Sequence, residues 1–306
     1  MRRFLFIANA SAGSSDRARL DEALAILRAE GDVRVVTTDT LDELTDAVAA
    51  RDGREVVVAG GDGSLNAFVT ALCRTGGLGQ DPPTVGLLPM GTGNDFARTL
   101  GLPTDSTEAA RVIVSGRAQP VDVLIDDDQR IVTNAVHMGV GEEAGRIAAP
   151  WKERLGALHL GALGYVIGGV AAGFGQRGRH LRVVADDRVV VSGDHRVLQV
   201  AVTIGRTVGG GTPIAPGAKP GDGRAEVVVS RAISPSRRLR YAFRVNRGRH
   251  TELDDVISLR ARTVTVTGMH EKVGANADGE ALDPVRERSW RVVPDAYRLH
   301  SRRETS

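Results

Sequence analysis

Two glycine-rich turns, each with an aspartate, follow apolar segments that are typical of buried strands. The first glycine turn, residues 60–63, reads Gly-Gly-Asp-Gly after "REVVVA". The second glycine turn, residues 90–94, reads Met-Gly-Thr-Gly-Asn after "TVGLLP" and precedes Asp95. Glycines between a strand and a helix let backbone N–H groups approach phosphate oxygens, and the helix N-terminus adds positive potential. Taken singly, each is also explained as a tight strand–helix connection, and Asp95 as a favourable charge at a helix N-terminus.

The two glycine turns are expected to face one crevice. Ligands of open α/β sheets bind where the carboxyl ends of neighbouring parallel strands meet. A carboxylate beside each turn suits a divalent cation, or its water shell, that bridges the protein to a nucleotide. The sequence contains neither GxGxxG nor the P-loop lysine motif at these turns, so backbone N–H groups, metal and arginine would have to meet the phosphate charge.

The elements that must position these turns alternate between strand and helix over residues 1–126. Continuous apolar strands separated by helices predict a parallel sheet covered on both faces, a Rossmann-like α/β domain. Helices are expected at 16–30, around Leu41 to Val48, and at 64–74, 94–101 and 106–116. From about residue 127, short β-rich runs such as "RIVTNAVHM" predict a mostly antiparallel β-sandwich, with helices at 151–174 and near 237–247.

Composition and charge argue against a nucleic-acid-binding protein, a disulfide-linked protein and a membrane-spanning protein. The chain has 306 residues, 42% of them apolar, and a formal net charge of +2, which argues against a nucleic-acid partner. Cys73 is the single cysteine, so no intramolecular disulfide forms and a reducing compartment is expected. Since neither a signal peptide nor a transmembrane segment is recognised, a cytoplasmic protein is expected.

At "GGDGSLN" (60–66) and "LPMGTGNDFARTLGLP" (88–103) the chain resembles the diacylglycerol kinase-like lipid kinase family, which includes bacterial diacylglycerol kinases and sphingosine and ceramide kinases. Weaker matches, from "NASAG" (9–13) to "NADGEAL" (276–282), extend the resemblance over nearly the whole chain. The resemblance implies an NAD kinase-like nucleotide-binding domain (1–126) and a β-rich lipid-substrate domain (127–289). The tail, residues 290–306, would pack back on the first domain.

The resemblance also implies ATP as phosphoryl donor, with Mg²⁺ near its phosphates. Asp62, Asp95 and Asp122 would form an acidic network that holds metal waters. The residues expected to contact the nucleotide are Asn9, Gly13, Thr37, Gly60, Gly61, Asp62, Gly63, Ser64, Asn66, Gly91, Thr92, Gly93 and Asn94.

Asp278-Gly279-Glu280 is similar to the catalytic Asp-Gly-Glu of that family. Phosphoryl transfer through a loose transition state depends mainly on positioning and charge neutralisation. The base therefore needs correct placement more than strength. By the resemblance, Asp278 is expected to accept the proton of the lipid hydroxyl, with Glu280 beside it, although the two roles could be exchanged. The alternative is an ordinary polar β-turn.

A structural Mg²⁺ is implied in the second domain as well. By the resemblance, Asp222 would ligate it through its side chain, and Lys219 and Arg224 through their backbone carbonyls, since hard oxygen ligands suit Mg²⁺. The alternative is that residues 221–223 form an ordinary turn.

A lipid substrate requires contact with a membrane surface, and two segments are candidates for that contact. Residues 155–174 are apolar and rich in glycine, and form either a buried helix or part of an acyl-chain cleft. Residues 231–250 hold seven arginines with Tyr241 and Phe243, and form either a solvated helix face or a docking surface for anionic lipid. We hypothesise peripheral attachment to the inner face of the membrane.

The expected reaction is phosphorylation of diacylglycerol to phosphatidic acid. Sphingoid or ceramide-type lipids are the competing acceptors. The pattern is also compatible with an NAD kinase and with a non-catalytic nucleotide- or lipid-binding protein, and a homodimer is left open.

Overall fold

The computed structural model describes residues 1–9, 14–79, 82–139 and 178–302. The chain forms two compact units, Met1–Val123 with Val293–Ser306, and Leu124–Val292. The domain limits at residues 126 and 289 stay a prediction beside these units. The helix expected at 151–174 lies outside the described residues.

The first unit alternates strands and helices, as the apolar pattern predicts. Each expected helix of this region forms, within a few residues of its predicted limits. The elements are β1 (Arg2–Asn9), α1 (Ser14–Glu30), β2 (Gly31–Thr38), α2 (Leu41–Ala49), β3 (Glu55–Gly60), α3 (Asp62–Arg74), β4 (Thr84–Pro89), α4 (Asp95–Thr99), α5 (Ser106–Ser115) and β5 (Arg117–Asp126), whose last residues belong to the second unit.

A parallel sheet forms the centre of the first unit. Strands β2, β1, β3 and β4 are neighbours in that order, and each pair is parallel. Helices α1 and α5 pack on one face, with Leu27 and Ile113 against Phe6 and Val57. Val58, which alternates with Val57, is also buried, and α2 and α3 contact β2 and β3. Burial on both faces explains why these strands are continuously apolar.

The second unit is built mainly from antiparallel strands. Its elements are β6 (Ile131–Val132), β7 (Ala135–Gly139), β8 (Arg179–Ala185), β9 (Arg188–Val197), β10 (Gln199–Thr203), β11 (Ala225–Ser230), α6 (Pro235–Val245), β12 (Val256–Ala261), β13 (Thr263–Gly268), β14 (Val273–Ala277), β15 (Glu280–Val285) and the first part of β16 (Glu287–Ser301).

Antiparallel pairs in two sheets account for these strands, and β6 pairs with the end of β5, Val132 opposite Leu124. One sheet has the order β12-β11-β10-β7-β14-β15. In the other, β9 pairs with β8, β8 with β13, and β13 with residues 287–291 of β16. The last part of β16 pairs in parallel with β4 in the first unit, Arg298 opposite Thr84. The expected fold class, an α/β domain followed by an antiparallel β-sandwich, is confirmed.

Candidate active site

The first glycine turn connects β3 to α3 without a spare residue. Gly60 ends β3, Gly61 is the N-cap of α3, and Asp62 already has helical geometry, two residues before the predicted start of the helix. A methyl group on Gly60 would overlap the Ser64 hydroxyl oxygen. Ser64 therefore packs over the end of the strand, and Gly60 is required there by packing.

The second glycine turn packs directly on the first. A Cβ built on Gly91 would lie 2.7 Å from the Gly61 Cα, and one built on Gly61 would lie 2.9 Å from the Gly91 Cα. The backbone N–H of Met90 donates to the carbonyl oxygen of Gly60 at 3.1 Å. The structure thus brings the two glycine turns together, and side chains at Gly61 or Gly91 would force them apart.

Asp62 joins the two turns through its carboxylate. Oδ2 accepts from the backbone N–H of Asp95, and Oδ1 from that of Phe96, each at 3.0 Å. The first N–H groups of a helix have no partner within the helix, and a negative charge is favourable beside them. Asp62 therefore holds the start of α4 against the first glycine turn.

Asn94 is used inside its own turn. Its backbone is left-handed, with φ of +50°, a conformation that asparagine tolerates better than most residues. Its side-chain oxygen accepts from the N–H of Gly91 at 3.0 Å, and its amide nitrogen donates to the carbonyl oxygen of Gly91 at 2.6 Å. Asn94 is buried, so its described contacts shape the turn that was expected to present it to a nucleotide.

Two carboxylates converge beside Gly93. A Cβ on Gly93 would lie 3.3 Å from Asp62 Oδ2 and 3.4 Å from Asp95 Oδ2. Asp122, the third expected member of the acidic network, is buried in β5 and accepts from the backbone N–H of Asp295 at 3.0 Å. Within the described ranges, no three His, Cys, Asp or Glu side chains converge closely enough to ligate a metal directly. The structure therefore gives no three-carboxylate site, and Asp62 and Asp95 fit a hydrated cation better than a bare one.

Gly63 is the glycine of the first turn that packing does not explain. A Cβ built there would meet nothing within 4 Å among the described residues, although glycine in a helix is about 1 kcal/mol less favourable than alanine. Among the described residues no side chain caps the N-terminus of α3. An open helix N-terminus beside an unfilled Cβ position fits a phosphate group.

The other expected nucleotide contacts are spread over three elements. Thr37 is exposed near the carboxyl end of β2, and Thr92 is exposed in the second glycine turn. Asn66 is half-buried in α3, where its Oδ1 accepts from Thr70 Oγ1 at 3.4 Å. Asn9 ends β1, but its side chain lies outside the described part of the chain, as does Gly13.

In the second unit, Asp278 and Gly279 form the turn of a β-hairpin. Ala277 pairs with Glu280 across β14 and β15, which leaves a two-residue connection. Both connecting residues have positive φ, +48° at Asp278 and +95° at Gly279, as a type I′ turn requires. The Asp-Gly pair is therefore explained locally as a hairpin turn, whatever else it does.

The Asp278 carboxylate binds a segment of chain far away in sequence. Oδ2 accepts from Thr133 N at 2.7 Å and from Thr133 Oγ1 at 2.8 Å, while Oδ1 accepts from Asn134 N at 3.0 Å and Ala135 N at 2.9 Å. The β-rich run "RIVTNAVHM" therefore divides into β6 and β7 at Thr133 and Asn134, whose N–H groups turn to the carboxylate. A carboxylate has about four lone-pair directions, and these four donors use them.

Glu280 has a different environment. It begins β15 and is exposed, and within the described residues its side chain has no hydrogen bond or ion pair. Of the two expected catalytic carboxylates, Glu280 is exposed and Asp278 is half-buried.

The expected Mg²⁺ site at Asp222 stays a prediction, and the carboxylate there has partners within the protein. Asp222 Oδ2 forms an ion pair with Arg260 at 2.9 Å, and Oδ1 accepts from Arg224 N at 3.1 Å. The carbonyl oxygen of Lys219 accepts from Asp222 N at 3.4 Å, and Arg260 also donates to the carbonyl oxygen of Gly217. The loop's carboxylate is thus neutralised by an internal guanidinium. Because Arg260 lies 38 positions from Asp222, no local pattern could have predicted the pair.

The contact between segment 133–135 and Asp278 has no local signal in the sequence, because the two lie more than 140 positions apart. The helices of the described residues are each too short or too polar to cross a membrane.

Comparison with known proteins finds two family models that together span most of the chain. Residues 3–125 match the diacylglycerol kinase catalytic domain. Residues 134–301 match the YegS C-terminal NAD kinase beta sandwich-like domain.

Individual relatives agree with these models. The "probable lipid kinase YegS-like" protein of Xanthomonas oryzae pv. oryzae is 30% identical over 295 residues, covering 94% of this chain and 93% of that protein. The diacylglycerol kinase of Bacillus subtilis is 28% identical over 233 residues, covering 76% of this chain and 73% of that protein. A crystal structure of a diacylglycerol kinase from Bacillus anthracis has the same fold, with a TM-score of 0.78, 22% identity, and coverage of 100% of this chain and 99% of that one.

Proposed function

The chain belongs to the diacylglycerol kinase-like lipid kinase family, and on that premise we propose that it transfers the γ-phosphoryl group of ATP to the hydroxyl of diacylglycerol, forming phosphatidic acid. The kinase activity of the family implies ATP as donor. The B. subtilis relative, named a diacylglycerol kinase, supports the choice of acceptor. Sphingoid and ceramide-type lipids are the competing acceptors.

The observation that carries the donor site is the unfilled Cβ position of Gly63 at the open N-terminus of α3. The ATP phosphates are proposed to lie there, against the backbone of the first glycine turn and the exposed Thr92. Gly60, Gly61, Gly91 and Asn94 would act indirectly, because their contacts hold the two turns together. Backbone donors fixed in this way need no rearrangement when charge develops on the phosphoryl group.

Mg²⁺ is proposed beside this site, held through its water shell by Asp62 and Asp95, whose carboxylates converge near Gly93. When bound, the ion would neutralise charge on the phosphate oxygens. The two carboxylates would orient its waters, and Asp62 would do so while keeping α4 in place, since within the described part of the chain each of its oxygens accepts one backbone N–H. Asp122 is proposed to position β16 through Asp295.

On the acceptor side, Glu280 is proposed as the base and Asp278 as a positioning residue. The lipid hydroxyl would give its proton to the Glu280 carboxylate as its oxygen bonds to the γ-phosphorus, and the bond from that phosphorus to the β–γ bridging oxygen would break, releasing ADP. Exposure of Glu280 supports this role. The four donors on Asp278 support its role in shaping residues 133–135.

The test is a phosphorylation assay with labelled ATP, Mg²⁺ and mixed micelles that contain diacylglycerol, monoacylglycerol, sphingosine or ceramide. We expect labelled phosphatidic acid from diacylglycerol, a loss of roughly 10²–10⁴-fold in kcat for Glu280→Gln, as is typical for removal of a general base, and an unchanged rate for Asp283→Asn, an exposed carboxylate on the same strand. If sphingosine or ceramide alone gives a labelled product, that lipid replaces diacylglycerol as the proposed acceptor. No product from any lipid would overturn the proposed reaction, and NAD would then be the next acceptor to test.

A further inference from the structure

Helix α6 exposes an apolar pair on the side turned away from the second unit's core. Tyr241 anchors the helix in a buried cluster with Leu198 and Val256. On the opposite side, Leu239 is 60% exposed and Phe243 is 59% exposed. The two residues are four positions apart, so they lie next to each other on one helix face. They are two of the five large hydrophobic residues that the described part of the chain exposes.

Arginines surround this apolar pair. Residues 231–250 contain seven arginines and no acidic residue, but Arg244 and Arg249 form ion pairs with Glu252 just beyond this segment. The Arg247 guanidinium lies 3.8 Å from the centre of the Phe243 ring. Arg237 and Arg240 are more than half exposed and approach the buried Asp255 only at 3.9 and 3.8 Å. The face therefore combines exposed apolar side chains with positive charge, the combination found in helices that lie in a membrane interface.

A cavity opens beside α6 and is lined by more arginines. Its volume is about 960 Å³, and Arg196, Arg231, Arg237 and Arg240 contribute to its wall. Three aspartates, including Asp255, line it as well, so the guanidinium groups are in excess. The Arg231 Nε–H is buried and has no hydrogen-bond partner among the described residues. The Arg231 Nε–H therefore offers a donor to an anionic ligand group. The buried Asp255 carboxylate, whose two oxygens also have no hydrogen-bond partner among the described residues, opposes such a ligand from the same wall.

We propose that α6 docks on a bilayer of anionic phospholipid. Leu239 and Phe243 would enter the acyl boundary, the exposed arginines would meet lipid phosphates, and the cavity beside the helix would take one phosphate head group. Charge complementarity supports a lipid occupant, and the apolar pair supports a bilayer over a dissolved anion. The inference rests on the proposed function for its purpose, since the acceptor lies in a membrane, but its test does not require catalysis.

The test is co-sedimentation of the full chain with substrate-free vesicles, either of phosphatidylcholine alone or of an equimolar mixture with phosphatidylglycerol. We expect binding to the anionic vesicles that weakens steeply with salt, because interactions of lysine and arginine with such surfaces are screened within a Debye length. Leu239→Ser with Phe243→Ser is expected to lower binding at least tenfold. Arg237→Gln with Arg240→Gln is expected to lower it by about 25-fold, at roughly fivefold for each arginine.

Matched control variants test whether the effects on vesicle binding are specific to α6. Val35→Ser with Val189→Ser removes two other exposed hydrophobic residues, and Arg111→Gln with Arg117→Gln removes two exposed arginines from elsewhere. Both controls should bind vesicles as the natural chain does. Arg231→Gln tests the cavity and should weaken binding to the anionic vesicles. Thermal unfolding of every variant checks that the fold is kept.

Equal binding by the α6 variants and the controls would overturn the docking surface, and so would equal binding of the natural chain to both vesicle types. Phosphorylation of a short-chain diacylglycerol in detergent micelles separates this failure from failure of the proposed function. If docking holds but no micellar lipid is phosphorylated, the kinase proposal fails alone. If micellar activity holds but vesicle binding ignores α6, the docking proposal fails alone.

Discussion

The carboxylate of Asp62 accepts a hydrogen bond from the backbone N–H of Asp95, with 3.0 Å between Oδ2 and N. This contact joins the aspartate of the first glycine turn to the first residue after the second. A charge that the sequence assigns to metal binding therefore also fixes the relative position of the two turns. Structural and chemical roles of Asp62 can be separated only by variants measured for both stability and binding.

Asp62→Asn should lower both stability and ATP affinity. Asparagine keeps one acceptor oxygen, and its NH₂ group would face the N–H of either Asp95 or Phe96. We expect the free energy of unfolding in urea to fall by about 1–3 kcal/mol, the effect of leaving a buried donor unsatisfied. Asp46→Asn, an exposed carboxylate on α2, is the control and should change neither quantity. Full stability of Asp62→Asn would contradict the structural role.

Two glycine-to-alanine variants should act in opposite directions on stability. Gly63→Ala should raise the free energy of unfolding by up to about 1 kcal/mol, because its Cβ meets no atom of the described chain and alanine favours the helix. Gly91→Ala should lower it by roughly 1–3 kcal/mol, because its Cβ would lie 2.7 Å from the Gly61 Cα.

The same pair separates packing from ligand binding. Calorimetric titration with ATP should show that Gly63→Ala binds more weakly even though it is more stable, since its methyl group would occupy the proposed phosphate position. A stabilised Gly63→Ala variant with unchanged ATP affinity would place the phosphates elsewhere.

Asp278→Asn should lower stability, whereas Glu280→Gln should lower the catalytic rate and leave stability nearly unchanged. Asp278→Asn leaves at least one of the four donors at Thr133, Asn134 and Ala135 without an acceptor, so unfolding free energy should fall by about 1–3 kcal/mol. Glu280→Gln should change it by less than about 0.5 kcal/mol, as expected for an exposed side chain that has no partner in the described ranges. Urea denaturation of both variants, read beside kcat, makes the comparison. Equal stability of the two would mean that the Asp278 contacts contribute little.

The local part of this architecture could be predicted from the sequence. The strand-to-helix switch at Gly60 and the helix of the first turn follow from glycines placed between an apolar run and an amphipathic one. A hairpin turn at Asp278-Gly279 could equally be predicted from residue type, since Asp-Gly favours a type I′ connection.

The rest depends on residues that are distant in sequence. Neither the break at Thr133 nor the Arg260 partner of Asp222 has a local signal, because each contact is decided by which strands become neighbours. The packing of Gly61 on Gly91 has the same origin: glycine at either position could equally have indicated a bound phosphate.

Addition of Mg²⁺ tests whether the Asp222 loop binds this metal. In the natural chain, Arg260 neutralises Asp222 at 2.9 Å, so Mg²⁺ should not shift the melting temperature through this loop. Arg260→Gln removes the guanidinium and leaves the carboxylate beside the carbonyl oxygens of Gly217 and Lys219, which are ligands that Mg²⁺ accepts. We expect a lower melting temperature that Mg²⁺ partly restores.

The control for this experiment is the double variant Arg260→Gln with Asp222→Asn, which lacks both charges and should not respond to Mg²⁺. A rise in the melting temperature of the natural chain that disappears in Asp222→Asn would show instead that the loop binds Mg²⁺ beside Arg260.

Stability should fall with decreasing pH because of His137. Burial in β7 disfavours the imidazolium and lowers the pKa of His137 to about 4. In the unfolded chain a histidine titrates near 6.5, so between these values the unfolded state binds a proton that the folded state does not. Above pH 6.5 the titration of His137 therefore leaves the free energy of unfolding unchanged. As the pH falls to 4, protonation of His137 in the unfolded chain lowers the free energy of unfolding by about 3 kcal/mol. His137→Leu cannot titrate, and the slope of its unfolding free energy between pH 6.5 and 4.5 should be smaller than that of the natural chain. A His137→Leu slope equal to that of the natural chain would show that His137 is protonated in the folded state.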